Sequence, residues 1–177
     1  MASAAQSMPT RPSARAADPL LDVRENLAVA SRTGSAARAL GLVGMDWAAE
    51  ATPAQLSMGQ RKLVGVARAL AAEPRLLCLD EPAAGLDTRE SGELGVRLRG
   101  LADQGQSMLL IEHDMGLVLG ICDRVIVLEF GQVIADGPPE AVRTDPQVIA
   151  AYLGEGATGE GGSPRLDVRD DAVQPPR

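Results

Sequence analysis

From Ser57 onward the chain repeats apolar positions at a helical period. Leu63, Val66, Ala67, Leu70 and Ala71 fall at i, i+3, i+4, i+7 and i+8, which predicts a helix that Pro74 stops. Residues 76–79 form an unbroken apolar run, the pattern of a strand covered on both faces, and Asp80-Glu81-Pro82 closes it. Asp87 and Glu90 have the spacing of a capping box and open a helix with Leu94, Leu98 and Leu101 in register, ended by Gly105. A second buried strand is predicted over 108–111, with Glu112-His113-Asp114 at its end. A short helix near 115–122 and a strand over 125–128 follow. Phe130-Gly131 then turns the chain into a hairpin partner over 132–135. Helices near 139–143 and 146–153 complete the pattern.

The upstream half is less periodic. Asp22 and Glu25 form a D-x-x-E box that starts a short helix, and a second helical piece over 35–40 runs into Gly41 and Gly44. Alternating strands and helices predict an α/β fold with a parallel sheet and helices on its faces. In such sheets ligands gather beyond the carboxyl ends of the strands. Residues 1–20 read as a disordered leader: Arg and Ser without an acid over 1–17 superficially suit a transit peptide, but no amphipathic period is present. Residues 155–177, rich in Gly, Pro and Asp, read as a disordered tail.

Composition narrows the function. At 177 residues one domain is expected, and with aromatic residues at 2% its core must be built from Leu, Val, Ile and Ala. A formal charge of -7 argues against a nucleic-acid binder, which needs clustered cations facing phosphates. No apolar run reaches the roughly 20 residues of a membrane-spanning helix. Cys78 and Cys122 stand far apart in apolar surroundings and read as small core residues, which fits a reducing cytoplasm.

Ser57 to Gln60 is S-x-x-Q, a capping box that opens helices in every kind of protein. The sharper reading notes that Gly59 lets a ligand approach the backbone, while a helix N-terminus offers free N–H groups to an anion. Asp80 and Glu81 follow a buried strand as paired carboxylates, which suit Mg²⁺ beside phosphate oxygens, although they are also what a solvated strand end looks like. His113 alone is more often a surface residue than a catalytic one.

Order and spacing change those odds. "LSMGQRKLVGVARAL", then "LLCLDEPAAGLD", then "LLIEHD" resemble, in sequence, the signature, the Walker B motif with its D-loop, and the His-loop of ABC-type ATPases. "EPAAGL", "IEHDMGLVLGICDRVIVLEFGQVIADGPPEAV" and "VIAAYLG" resemble the ATPase subunits of branched-chain amino-acid importers, so that the resemblance covers residues 21–154. It implies an incomplete P-loop NTPase core of ABC type. Its parts would be a helical and signature region over 21–73, a Walker B to His-loop core over 74–123, and a C-terminal hairpin with helices over 124–154.

The resemblance also implies ATP and Mg²⁺ as ligands, a second nucleotide-binding subunit in a homo- or heterodimer, and permease subunits that hold the chain on the cytoplasmic face of the membrane. Ser57 and Gly59, with Gln60 beside them, would hold the γ-phosphate of ATP bound to the partner. Asp80 would help hold Mg²⁺, directly or through water, and Glu81 would activate the attacking water. His113 would contact the γ-phosphate, and Asp87 would couple the two sites.

One part is not found in these 177 residues. The phosphate loop G-x-x-x-x-G-K-[ST] needs a lysine, and the single lysine, Lys62, lies inside the signature helix. Hydrolysis by this chain alone is therefore not expected, and a sheet without the phosphate-loop strand is expected to show unpaired edges and apolar faces. Two alternatives follow: a non-catalytic half-subunit that lends its signature to a complete partner, or an ABC-type ATPase of DNA maintenance. The latter is disfavoured by the charge and by the lack of sustained heptads.

Overall fold

The computed structural model describes residues 18–31 and 34–156. Most of the expected leader (1–17) and of the expected tail (157–177) lies outside the described residues. The helix expected to stop near 153 continues to Gly156.

Helices α1 (Val23–Ala28) and α2 (Ala36–Leu42) are followed by 3-10 turns at Asp46–Ala48 and Pro53–Gln55, and then by α3 (Met58–Leu70). Asp22 and Glu25 close both arms of the box that starts α1: the Glu25 N–H donates to Asp22 Oδ1 at 2.7 Å and the Asp22 N–H to Glu25 Oε2 at 2.9 Å. Asn26, 2% exposed, was not anticipated from the sequence. Its Oδ1 accepts from the Asp18 N–H, and its Nδ2 donates to the carbonyls of Asp18, Leu21 and Asp22. A buried amide with all these bonds made fixes how the chain enters α1, since leaving them unmade would carry the full desolvation penalty.

Strand β1 (Leu76–Asp80), helix α4 (Thr88–Asp103) and strand β2 (Ser107–Ile111) form a parallel unit in which Leu77 pairs with Met108 and Leu79 with Leu110. Leu77 and Leu79 join a core with Leu27, Leu40, Met45, Val64, Leu70, Leu94, Leu98 and Leu101, while Met108 and Leu110 pack against it. Fully burying one such side chain contributes roughly 1.5–3 kcal/mol, so this face holds the sheet to the helices.

The opposite face differs from the reading of strands covered on both sides. Burial alternates along β1, and Leu76, Leu109 and Ile111 are each about half exposed, at 53%, 52% and 52%. Cys78 lies on this bare face and is exposed, so it is not the core residue expected. Cys122 is half-buried, and burial pushes its thiol pKa up, with Asp123 adding to the rise. The physical reason is that α3 and α4 cover one side only, and among the described residues β1 and β2 form a two-stranded sheet with no third strand beside them.

Helix α5 (Met115–Ile121) leads to the antiparallel pair β3 (Val125–Glu129) and β4 (Gln132–Gly137), as the hairpin reading expected. Phe130 and Gly131 both adopt positive φ, 46° and 78°, the backbone of a tight two-residue hairpin turn. Helices α6 (Pro139–Arg143) and α7 (Pro146–Gly156) close a smaller core of Val118, Val125, Ala135, Val142 and Val148.

Candidate functional site

The carboxyl end of the parallel pair brings together the residues the sequence singled out there. Asp80 ends β1 with an exposed side chain, and among the described residues it makes no hydrogen bond or ion pair through its carboxylate. Glu81 follows at φ 46°, a left-handed conformation uncommon outside glycine, and its N–H donates to the Ile111 carbonyl at 2.9 Å. That bond carries the strand pairing one residue beyond Asp80. It leaves the Glu81 carboxylate at the sheet end, with Oε1 3.8 Å from His113 Nδ1, and both side chains are open to solvent.

Glu112 holds this arrangement from beneath. Its side chain is 1% exposed; Oε1 accepts from the Ala83 N–H at 2.7 Å, and Oε2 lies 3.3 Å from the His113 N–H that it accepts from. The loop after Glu81 is thereby pinned to the end of β2. Asp114 next to it caps α5 through the Leu117 N–H at 3.1 Å. Sequence reading placed Glu112 and Asp114 beside His113 without giving either a task. The available signal was the run of three polar residues directly after an apolar strand.

A second group forms at the start of α3. The capping box is complete: the Gln60 N–H donates to Ser57 Oγ at 3.3 Å, and the Ser57 N–H donates to Gln60 Oε1 at 2.8 Å. Gln60's oxygen is thus engaged in the box. The Ser57 hydroxyl donates to Glu90 Oε1 at 3.0 Å, and the Gly59 N–H donates to the same oxygen at 3.3 Å. Asp87 caps α4, its Oδ1 accepting from the Glu90 N–H at 2.7 Å. Among the described residues no hydrogen bond or ion pair joins Ser57 or Gly59 to Asp80, Glu81 or His113, so the candidate residues form two groups and not one site.

Chemically, the first group offers carboxylate oxygens and an imidazole beyond the strand ends. Among the described residues no three His, Cys, Asp or Glu side chains cluster as a metal cage. The donor set of Asp80 and Glu81 fits Mg²⁺ held by one or two carboxylates and completed by phosphate oxygens and water. The second group offers hydrogen-bond donors at a helix N-terminus, suited to an anion.

The family model described as ABC transporter matches residues 2–84, and that described as branched-chain amino acid ATP-binding cassette transporter matches residues 132–158. Both stretches are similar in sequence to ABC transporter ATP-binding proteins. The high-affinity branched-chain amino acid transport ATP-binding protein BraF of Pseudomonas aeruginosa is 46% identical over 101 residues, 56% of this chain and 40% of that protein. The high-affinity branched-chain amino acid transport ATP-binding protein LivG of Escherichia coli is 42% identical over 121 residues, 68% of this chain and 48% of that protein. The chain therefore spans less than half the length of these ABC relatives.

Among solved structures, the ATP-binding cassette MJ1267 of an ABC transporter superposes with a TM-score of 0.67 at 27% identity, covering 76% of this chain and 63% of that one. A nucleotide-free ATP-binding cassette from an ABC transporter gives 0.63 at 26%, covering 75% and 62%. The chain's α/β architecture is thus that of ABC ATPase domains, P-loop NTPases with a parallel sheet and flanking helices.

Proposed function

We propose that this chain supplies part of the ATP-binding component of an ABC importer of the branched-chain amino-acid type, working as a dimer of nucleotide-binding units under membrane permease subunits. The observation that carries this reading is the convergence of Asp80, Glu81 and His113 at the end of one parallel strand pair, with Glu81 and His113 3.8 Å apart. In it, Glu81 accepts a proton from the attacking water and His113 donates a hydrogen bond to the γ-phosphate. Asp80 holds Mg²⁺ directly or through water, and Asp87 couples the two halves of the dimer. When bound, Mg²⁺ neutralises charge that builds on the phosphate oxygens.

Ser57 and Gly59, with Gln60 shaping the turn, act on ATP held by the opposing subunit. No helix among the described residues is long and apolar enough to cross a membrane, so attachment to the cytoplasmic face falls to the permease partners. A one-sided form of this reading rests on the complete box at Ser57 and Gln60: the chain lends its signature to a partner that carries the phosphate loop.

Mixing the chain with a complete ABC ATP-binding subunit tests the reading. Association that requires ATP and is abolished by Ser57→Arg is the expected result, read by sedimentation velocity. Association unchanged by ATP or by Ser57→Arg would overturn it. Steady ATP turnover by the purified chain, lost in Glu81→Gln, would overturn the one-sided form alone.

A further inference from the structure

The donors assigned to a partner's γ-phosphate already hold an anion, and it belongs to the chain itself. Glu90 Oε1 accepts from both the Ser57 hydroxyl and the Gly59 N–H, at 3.0 Å and 3.3 Å, while a Cβ added at Gly59 would stand 3.4 Å from that same oxygen. A carboxylate and a phosphate oxygen cannot share these donors. The two charges repel, and each donor has one hydrogen to give.

The start of α4 supplies the other half of the argument. Asp22–Glu25 and Ser57–Gln60 both close their capping boxes reciprocally. At Asp87–Glu90 only one arm is made: Asp87 accepts from the Glu90 N–H, but the Glu90 carboxylate is diverted to α3, and among the described residues the Asp87 N–H has no hydrogen-bond partner. Glu90 thus has two alternative positions, one on the signature and one on its own helix cap, and reaching the second requires only rotation of one half-buried side chain.

We propose that Glu90 is an internal competitor for the signature: its carboxylate occupies the phosphate position on Ser57 and Gly59, and is displaced onto the Asp87 N–H when a nucleotide phosphate arrives. The inference rests on reading Ser57 and Gly59 as a phosphate clasp. Displacement links two motifs through one side chain, because filling the signature completes the capping box at Asp87 and firms the N-terminus of α4. An unoccupied signature is held by its own counter-anion, so premature closure on other anions is opposed.

The test uses the ¹⁵N-labelled chain titrated with inorganic pyrophosphate, reading the Gly59 and Asp87 amides. A charge near a helix N-terminus has a modest effect, so Glu90→Gln and Glu90→Ala are each expected to lower the pyrophosphate midpoint at Gly59 by about two- to fivefold. In the unsubstituted chain, pyrophosphate should also raise protection of the Asp87 amide against hydrogen exchange, an effect absent in Glu90→Ala. Equal midpoints, higher midpoints in the variants, or no Gly59 response in any form would overturn the proposal. Glu90→Gln keeps the shape of the side chain should Glu90→Ala not fold. If Gly59 responds as expected but ATP-driven association with a complete subunit fails, the clasp in trans falls and the competitor stands. If association occurs but is indifferent to Glu90, the reverse holds.

Discussion

The Glu112 carboxylate accepts a 2.7 Å hydrogen bond from the Ala83 N–H, joining the end of β2 to the loop that carries Glu81. Because that side chain is 1% exposed, the bond is made out of water and its loss leaves a shielded N–H unpaired. Glu112→Ala should therefore destabilise the chain by about 1–3 kcal/mol, measured as a lower urea midpoint. Glu112→Gln retains an oxygen acceptor and should lose less. Equal losses in the two variants would mean that the charge of the carboxylate, and not an oxygen acceptor for the Ala83 N–H alone, secures the loop.

The bare sheet face makes a different prediction. Leu109 and Ile111 point away from the core, whereas Leu77, 3% exposed, points into it. Exposed apolar strands beside an unpaired edge favour self-association. Replacing both with polar residues, Leu109→Ser and Ile111→Thr, should shift the chain toward monomer in sedimentation at matched concentration without lowering its melting temperature. Leu77→Ala should instead reduce stability by about 2–5 kcal/mol. Self-association unaltered by the double substitution would place the sticky surface elsewhere, for instance at Phe130 and Val133 on the hairpin, which are 100% and 60% exposed.

These two contrasts also explain what the sequence could disclose. Helix α3 was legible because its apolar residues recur at a period that only a helix puts on one face, and the hairpin because Phe130-Gly131 separates two apolar runs. The box at Ser57 was legible because it is local. Glu90 was read as an ordinary capping residue, since nothing near it in sequence shows that its carboxylate is drawn to a helix that begins 32 residues earlier. The run over 76–79 reads as buried on both sides because an apolar strand does not encode which neighbours are present to cover it, and the exposed place of Cys78 is hidden for the same reason. Asn26 was invisible because a buried amide is satisfied by carbonyls whose positions depend on the fold of residues 18–22.

The hairpin supplies a pH signature. Arg124 grips Asp136 through two 2.8 Å hydrogen bonds, Nε to Oδ1 and Nη2 to Oδ2, and the pair ties the residue before β3 to β4. This hydrogen bonding, helped by the attraction of the two charges, holds the Asp136 carboxyl below its usual 3.8. A carboxyl whose folded pKa is lower than its unfolded one contributes stability that is complete above about pH 4 and lost as pH falls through the lowered value. The loss is confined to the acid side, since Arg124 stays charged throughout. The contribution is small because both groups face solvent, and added salt should shrink it further. Acid unfolding followed by circular dichroism should therefore show Asp136→Asn and the parent chain drawing together as pH falls through the lowered value, with the parent the more stable at pH 6. A constant difference between them down to the acid limit would mean that the charge of Asp136 is not what stabilises β4.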